Sequence, residues 1–153
     1  GEVYREKLME MVDKLGIKEH VRFVDKYLTK DEIIQYLQLS DIYMTPYLGK
    51  EQAVSGTLAY AVGCGRVIVS TPYSYAKEML SEGRGLLAEF GDPDSLAREI
   101  IYVMENPEAK REMEEKTLSV GRTMTWENVA NHYAKLFTNT LEKSIKTEKS
   151  MVV

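Results

Sequence analysis

The stretch from Asp41 to Thr71, DIYMTPYLGKEQAVSGTLAYAVGCGRVIVST, decides how this chain folds. Apolar runs at 42–47 and 67–70 predict two buried strands, and the apolar segment 55–62 between them predicts a short helix. The first N–H groups of a helix have no partner inside it, and the positive end of the helix dipole lies behind them. The loop that enters this helix is therefore predicted to suit a phosphate or diphosphate.

The alternation of strand and helix extends to both sides of this stretch. Further apolar runs at 21–24 and 85–90 predict two more strands, which makes about four in all. Because the runs are apolar throughout, they favour a parallel sheet with helices on both faces, a Rossmann-like α/β fold. Other helices are predicted at 2–15, 31–39, 75–80, 94–104, 107–120 and from 126 to about 146.

The predicted order of elements opens on a helix rather than on a strand. Parallel α/β domains ordinarily begin with a strand, and nucleotide-binding folds of this kind have about six strands. We therefore expect residues 1–142 to form an N-terminally truncated domain that lacks its first units. Residues 143–153 are charged and show no apolar stripe, so we expect a frayed C-terminal tail.

Composition excludes several classes of protein. The chain has 153 residues, of which 44% are hydrophobic, enough for a single core. A net charge of −4 argues against a nucleic-acid-binding protein. The single cysteine, Cys64, fits the reducing cytoplasm, and the separated His20 and His132 predict no metal site. No apolar run is long enough to span a bilayer, so we expect a cytoplasmic protein without a transmembrane segment.

Several motifs resemble, in their order along the chain, the C-terminal domain of family 4 glycosyltransferases with the GT-B architecture. The clearest is SGTLAYAVGCG at 55–65, which is similar to the SGxLAYAxGxG run of a mannosyltransferase-like branch. The others are the strand ending at Pro46, the AKEML, GLL and GDP segments between 76 and 93, and TWE at 125–127 with Tyr133.

The resemblance implies the donor-binding half of an enzyme that transfers a hexose from a nucleotide-sugar to a glycan or lipid-linked acceptor. Mannose is one candidate for the transferred sugar. It also implies retention of configuration and no metal or cofactor. In such enzymes an N-terminal domain holds the acceptor and usually the catalytic base. We therefore expect that base, and the basic residues that clamp the diphosphate, to lie outside this chain, which alone would bind nucleotide weakly and be inactive.

The hallmark of the family is a pair of glutamates eight positions apart around the donor loop. In the register set by Gly65 they fall on Gln52 and Tyr60, so the hallmark is not present as such. Tyr60 offers a phenol instead of a carboxylate to the ribose hydroxyls. Glu51 is the candidate for the sugar hydroxyls if the loop register slips by one residue, and its alternative is a solvated carboxylate beside Lys50.

Ser55, Gly56 and Thr57 are the strongest site candidates, because glycine lets a backbone approach an anion closely. The alternative for Ser55 is a simple helix N-cap. Tyr27 follows the first predicted strand and either stacks on the donor base or packs on the surface. Glu78, beyond the third predicted strand, either hydrogen-bonds near the donor or lies on an amphipathic helix.

A second hypothesis from another class is a non-catalytic Rossmann- or flavodoxin-like nucleotide-binding or interaction module. The departure from the hallmark at Gln52 and Tyr60 favours it. Dinucleotide binding is disfavoured, because no GxGxxG follows a strand and Gly63-Cys64-Gly65 falls at a helix end instead.

Overall fold

The computed structural model describes residues 2–150, with side chains for residues 2–143. One sheet contains three parallel strands in the order β1–β2–β3. The strands are β1 (Ile42–Thr45), β2 (Val67–Ser70) and β3 (Leu86–Leu87). In the central strand, Val67 is in register with Ile42 and Val69 with Leu86. The predicted parallel α/β fold is confirmed.

The helices begin and end within a few residues of their predicted bounds. They are α1 (Glu2–Lys14), α2 (Lys30–Leu39), α3 (Gly56–Gly63), α4 (Ser74–Met79), α5 (Pro93–Glu105), α6 (Pro107–Thr123) and α7 (Trp126–Ser150). The predicted tail is helical as far as Ser150, and residues 151–153 lie outside the described residues.

The sheet is covered on both faces, because side chains alternate along β2. Ile68 packs in a cluster with Leu58 and Val62 of α3. Val67, on the opposite face, packs with Val103 of α5 and Met113 of α6. The prediction of helices on both faces therefore holds for this central strand.

The predicted strand at 21–24 is wrong. Val21 has extended dihedrals, φ −121° and ψ 124°, but the segment belongs to no sheet within the described residues. Phe23 and Val24 are exposed. A strand needs a hydrogen-bonded neighbour, and the sheet ends at β1, so an apolar extended segment alone does not make one. The sheet accordingly has three strands instead of four.

The region before Leu37 contains no buried residue within residues 2–36. In α1, Val3, Tyr4 and Met11 are exposed, and Leu8 and Val12 are only half-buried. A helix of 13 residues without a buried face gains little from tertiary packing, which is the main source of helix stability in proteins.

Helices α3 and α6 also contact each other closely. A Cβ atom added to Gly121 would lie 2.6 Å from the Val62 carbonyl oxygen and 2.9 Å from the Gly63 Cα. Both neighbours are backbone atoms, which cannot rotate away. Only glycine therefore allows α6 to approach α3 this closely.

We expect Gly121→Ala to lower the free energy of unfolding by about 1–3 kcal/mol, because it overpacks this contact. The matched control is Gly63→Ala, whose added Cβ meets nothing within 4 Å. Urea denaturation of both variants measures the difference. Equal stability of the two variants would contradict the close approach of the helices.

Candidate functional site

The start of α3 has the geometry of an anion-binding turn. Ser55 is the N-cap, and its Oγ accepts the Leu58 N–H at 3.3 Å. The Ala59 N–H donates to the Ser55 carbonyl oxygen at 3.1 Å. The N–H groups of Gly56 and Thr57 are thus the ones left without an acceptor inside the helix. Gly56 is exposed, and a Cβ added to it meets nothing within 4 Å, so open space adjoins this turn.

Hydroxyl groups from β1 lie beside this turn. The Tyr43 hydroxyl donates to Thr57 Oγ1 at 2.7 Å, and Thr57 Oγ1 lies 3.5 Å from Ser55 Oγ. Burial raises the pKa of the Tyr43 phenol, so it stays protonated and able to donate at neutral pH. Thr45 is buried, and its hydroxyl makes no well-formed hydrogen bond among residues 2–143.

The loop between β1 and α3 is held by its main-chain oxygens. The Ser74 N–H donates to the Lys50 carbonyl at 3.0 Å, and the Tyr75 N–H donates to the Gln52 carbonyl at 3.2 Å. These are N–H groups from the first turn of α4, so loop carbonyls cap that helix. Within residues 2–150 the first turn of α3 receives no such carbonyl, and its Gly56 and Thr57 N–H groups remain available to a ligand.

The side chains of the two loop candidates are not fixed towards α3. Glu51 is exposed, and no hydrogen bond or ion pair of its side chain occurs within the described part of the chain. Gln52 is half-buried, and its Nε2 donates to the Val54 carbonyl of the same loop at 3.1 Å. Lys50, the predicted neighbour of Glu51, lies with its ammonium 5.5 Å from the centre of the Phe90 ring.

The other candidates lie at differing positions around the turn. Tyr60 is one helical turn after Gly56 and so shares its face of α3. Tyr27 is 95% exposed and, with Thr57, lines a hollow of about 500 Å³ between α2 and β1. Glu78 is exposed on α4. The structure thus brings Ser55, Gly56, Thr57 and Tyr60 together on one helix and leaves the side chain of Glu78 on another.

Sequence reasoning missed two neighbours of this turn. Tyr43 was predicted only as part of a strand, and its bond to a residue 14 positions away has no local signal. Lys30 has its ammonium 5.7 Å from the centre of the Tyr60 ring, which places a positive charge near the α3 face. This contact also depends on tertiary packing rather than on spacing along the chain.

A capping box at the start of α2 was missed as well, although the sequence signal T-x-x-E is present at 29–32. The Glu32 N–H donates to Thr29 Oγ1, and the Thr29 N–H donates to Glu32 Oε2 at 2.9 Å. Lys26 Nζ lies 2.6 Å from Glu32 Oε1. These bonds fix the entry to α2 beside Tyr27.

No three histidine, cysteine, aspartate or glutamate side chains within residues 2–143 lie close enough to hold a metal ion together. No helix found there combines the length and the apolar character needed to cross a lipid bilayer.

A parallel sheet covered on both faces, with a helix starting beyond the carboxyl end of a strand, is the architecture of nucleotide-binding α/β domains. Residues 1–106 match the family described as "Glycosyl transferases group 1". The match covers most of the chain, and the chain belongs to this family.

Curated relatives and solved structures agree with this assignment. An uncharacterised glycosyltransferase of Methanocaldococcus jannaschii is 29% identical over 110 residues, covering 70% of this chain and 28% of that protein. N-acetyl-alpha-D-glucosaminyl L-malate synthase of Bacillus anthracis is 25% identical over 136 residues, covering 88% of this chain and 34% of the relative. The Anabaena protein HepE in complex with UDP-glucose superimposes with a TM-score of 0.75 at 18% identity, covering 90% of this chain and 37% of HepE.

The last comparison shows the fold alone. The chain spans about a third of the length of the relatives that it matches. A glycosyltransferase-type domain is therefore present, in the GT-B class of architecture.

Stability of the α2 entry should depend on pH through Glu32. The hydrogen bond from Lys26, and then those from Thr29, lower the pKa of this carboxyl from 4.5 to about 2. A pKa lowered in the folded state contributes stability above pH 4.5 that is lost as the pH falls towards 2. We expect Glu32→Gln to be less stable than the unsubstituted protein at pH 7 and to lose less stability between pH 5 and pH 2.

Urea denaturation across this pH range measures the effect. Lys26→Ala removes the largest cause of the lowered pKa, so it should move the loss of stability towards pH 4.5. Identical pH dependence of the Glu32→Gln variant and the unsubstituted protein would refute the role of this carboxyl.

Proposed function

We propose that this chain is the nucleotide-sugar-binding part of a hexosyltransferase, and that the donor diphosphate binds at the start of α3. The observation that carries the proposal is the pair of N–H groups at Gly56 and Thr57, which have no acceptor among residues 2–150. Gly56 is exposed, and a Cβ added to it meets nothing within 4 Å. Loop carbonyls cap α4 but leave the first turn of α3 available. Family membership makes a sugar nucleotide the ligand that best fits such a turn.

The proposed mechanism assigns electrostatic work to this turn. When the glycosidic bond to the diphosphate breaks, negative charge grows on the departing nucleoside diphosphate. The Gly56 and Thr57 N–H groups, with the dipole of α3 behind them, stabilise that charge without reorganising. Lys30 adds a positive charge nearby. The step requires no metal ion and no cofactor.

The remaining candidates take supporting roles in the proposal. Tyr60 hydrogen-bonds a ribose hydroxyl through its phenol, and Tyr27 stacks on the base. Glu51 and Gln52 reach the sugar hydroxyls once the donor orders their side chains. Glu78 forms a hydrogen bond at the far side of the donor.

The substrates are proposed at the level that the resemblance and the relatives support. The names of the Bacillus anthracis relative and of the HepE complex both contain a hexose or hexosamine, which supports a hexosyl donor. Mannose as the sugar, a glycan or lipid-linked acceptor, retention of configuration and a cytoplasmic location are further proposals that rest on the resemblance and on composition. The catalytic base is proposed to lie in an N-terminal domain outside this chain. By itself, this chain is therefore proposed to be inactive.

We also propose that a strand from such a longer protein pairs with the outer edge of β1. Within residues 2–150 this edge has no partner strand. The hollow of about 500 Å³ lies beside it on the α2 face and is lined by Ile33, Leu37 and Tyr43, among others. Met44, on the other face, is exposed. A parallel strand placed here would cover these apolar groups.

Hydrogen exchange tests the strand. Amides of residues 42–45 should exchange faster in the 153-residue chain than in a longer protein that contains it, because pairing protects outward-pointing N–H groups. The internal control is residues 69 and 70, which have a strand on each side and should be protected in both forms. Equal exchange of residues 42–45 in the two forms would rule the proposed strand out.

Calorimetric titration with UDP and with GDP tests the donor site. Gly56→Glu places a carboxylate where the phosphate is proposed to bind. We expect it to weaken nucleoside diphosphate binding about tenfold or more by charge repulsion. The fold should tolerate it, because an acidic residue in the first turn favours a helix.

Gly63→Glu provides the matched control for charge. It puts the same charge at the other end of α3, where added atoms also meet open space. This control should change affinity by less than about twofold, since exposed charges at a distance are screened. No heat with the unsubstituted protein at millimolar nucleotide, or equal losses in both variants, would count against the site.

A further inference from the structure

We propose that Tyr43 is a positioning residue of the donor site: it donates its hydroxyl hydrogen to Thr57 Oγ1 and so directs the Thr57 hydroxyl hydrogen towards the bound diphosphate. This inference rests on the proposed function. It assigns a role to a strand residue that the site candidates taken from the sequence do not include.

The number of hydrogens on the Thr57 hydroxyl supports the assignment. A threonine hydroxyl has one hydrogen to donate and two lone pairs to accept with. The hydrogen bond from Tyr43, at 2.7 Å, occupies one lone pair. The hydrogen of Thr57 is then left for another acceptor. Ser55 Oγ, at 3.5 Å, is distant for a bond between two hydroxyls.

The position of Tyr43 suits it to hold Thr57. Its backbone is fixed in β1, in register with Ile68 of the central strand. Its ring packs against the hydrophobic cluster beneath α3. Burial raises the pKa of the phenol, so the bond has its donor at every pH near neutral. Tyr43 therefore ties the first turn of α3 to the sheet across the intervening loop.

A second observation points to a ligand in the same place. Thr45 lies two residues beyond Tyr43 in β1, and side chains two apart in a strand share a face. It is only 4% exposed, and its hydroxyl makes no well-formed hydrogen bond among residues 2–143. It lies close enough to the Tyr43 phenol to lower the pKa of that phenol. A buried hydroxyl without a well-formed hydrogen bond is costly, and a water or ligand group at the carboxyl end of β1 would satisfy it.

A double-mutant cycle tests the proposal in the full-length protein that carries this chain. The variants are Tyr43→Phe, Thr57→Val and the double substitution. Binding is measured by calorimetry with UDP or GDP, whichever binds more tightly, and with the corresponding nucleoside, which lacks phosphates. Tyr102→Phe, on the other face of the sheet, is the control for loss of a tyrosine hydroxyl, and Thr57→Ser is the variant that retains the hydroxyl at 57.

We expect Tyr43→Phe and Thr57→Val each to weaken diphosphate binding about three- to tenfold, the effect of one hydrogen bond. The double variant should bind within about twofold of Thr57→Val, because both substitutions remove the same interaction. Nucleoside binding should not change, and Thr57→Ser and Tyr102→Phe should bind the diphosphate like the unsubstituted protein. A purely structural role would not distinguish diphosphate from nucleoside.

The other outcomes overturn the proposal. If Tyr43→Phe binds like the unsubstituted protein while Thr57→Val is weakened, Tyr43 has no positioning role, although the donor site stands. If the losses are additive, or equal for the nucleoside, the two residues do not act through one bond to a phosphate. Failure of Tyr43→Phe to fold would show that its hydroxyl serves the fold instead. If the unsubstituted protein binds neither diphosphate, the proposed function fails together with this inference.

Discussion

The burial of β2 on both faces is the constraint on which the rest of the structure depends. All four of its residues, Val67 to Ser70, are fully buried. Their side chains alternate, so one pair requires α3 above the sheet and the other requires α5 and α6 below it. Ser70 is polar and still satisfied, because its single hydroxyl hydrogen lies within reach of the carbonyl oxygens of both Thr45 and Thr71. Because β2 is covered in this way, the chain that leaves β1 must form α3 on one face of the sheet before it enters β2.

In the connection from β1 to α3, backbone carbonyl oxygens are paired within the protein, whereas N–H groups at its end are left unpaired. Its carbonyl oxygens at Lys50 and Gln52 are directed to the first turn of α4. Its end at Ser55 caps only one N–H of α3 by a side chain. Protein carbonyl oxygens therefore cap the first turn of α4. The Gly56 and Thr57 N–H groups at the start of α3 are left for a ligand or solvent. In a family of glycosyltransferases, this difference between two adjacent helices supports the proposed donor site at α3 rather than at α4.

Local signals in the sequence predicted most of the fold. Residues 67–70 were predicted as a buried strand because an unbroken apolar run needs no knowledge of its partners, and β2 has those bounds. The predicted strand at 21–24 failed because strand formation depends on a neighbour, which an apolar run does not reveal. Pro107 favours a helix start, because a missing N–H costs nothing in the first turn, and α6 begins there.

The site was predictable in part, for the same reason. Ser55 was predicted both as a cap and as a ligand contact, and its capping bond is present. The roles of Glu51, Gln52, Tyr27, Tyr60 and Glu78 in binding stay predictions, since exposed side chains acquire their positions from a ligand. The bond between Tyr43 and Thr57 crosses 14 positions and arises only when β1 and α3 pack together. Spacing along the chain could not have shown it.

The anchoring of the loop before α3 has a consequence for how such a site can diversify. The path of the loop is set by main-chain atoms, through the carbonyl oxygens of Tyr47, Lys50 and Gln52. Side chains at Leu48 and Val54 are exposed and take no part in that anchoring. Replacing them alters what the loop presents without rerouting it. Under the proposed function, selection can therefore change the sugar preference through these positions while α3, the proposed phosphate-binding helix, stays in place.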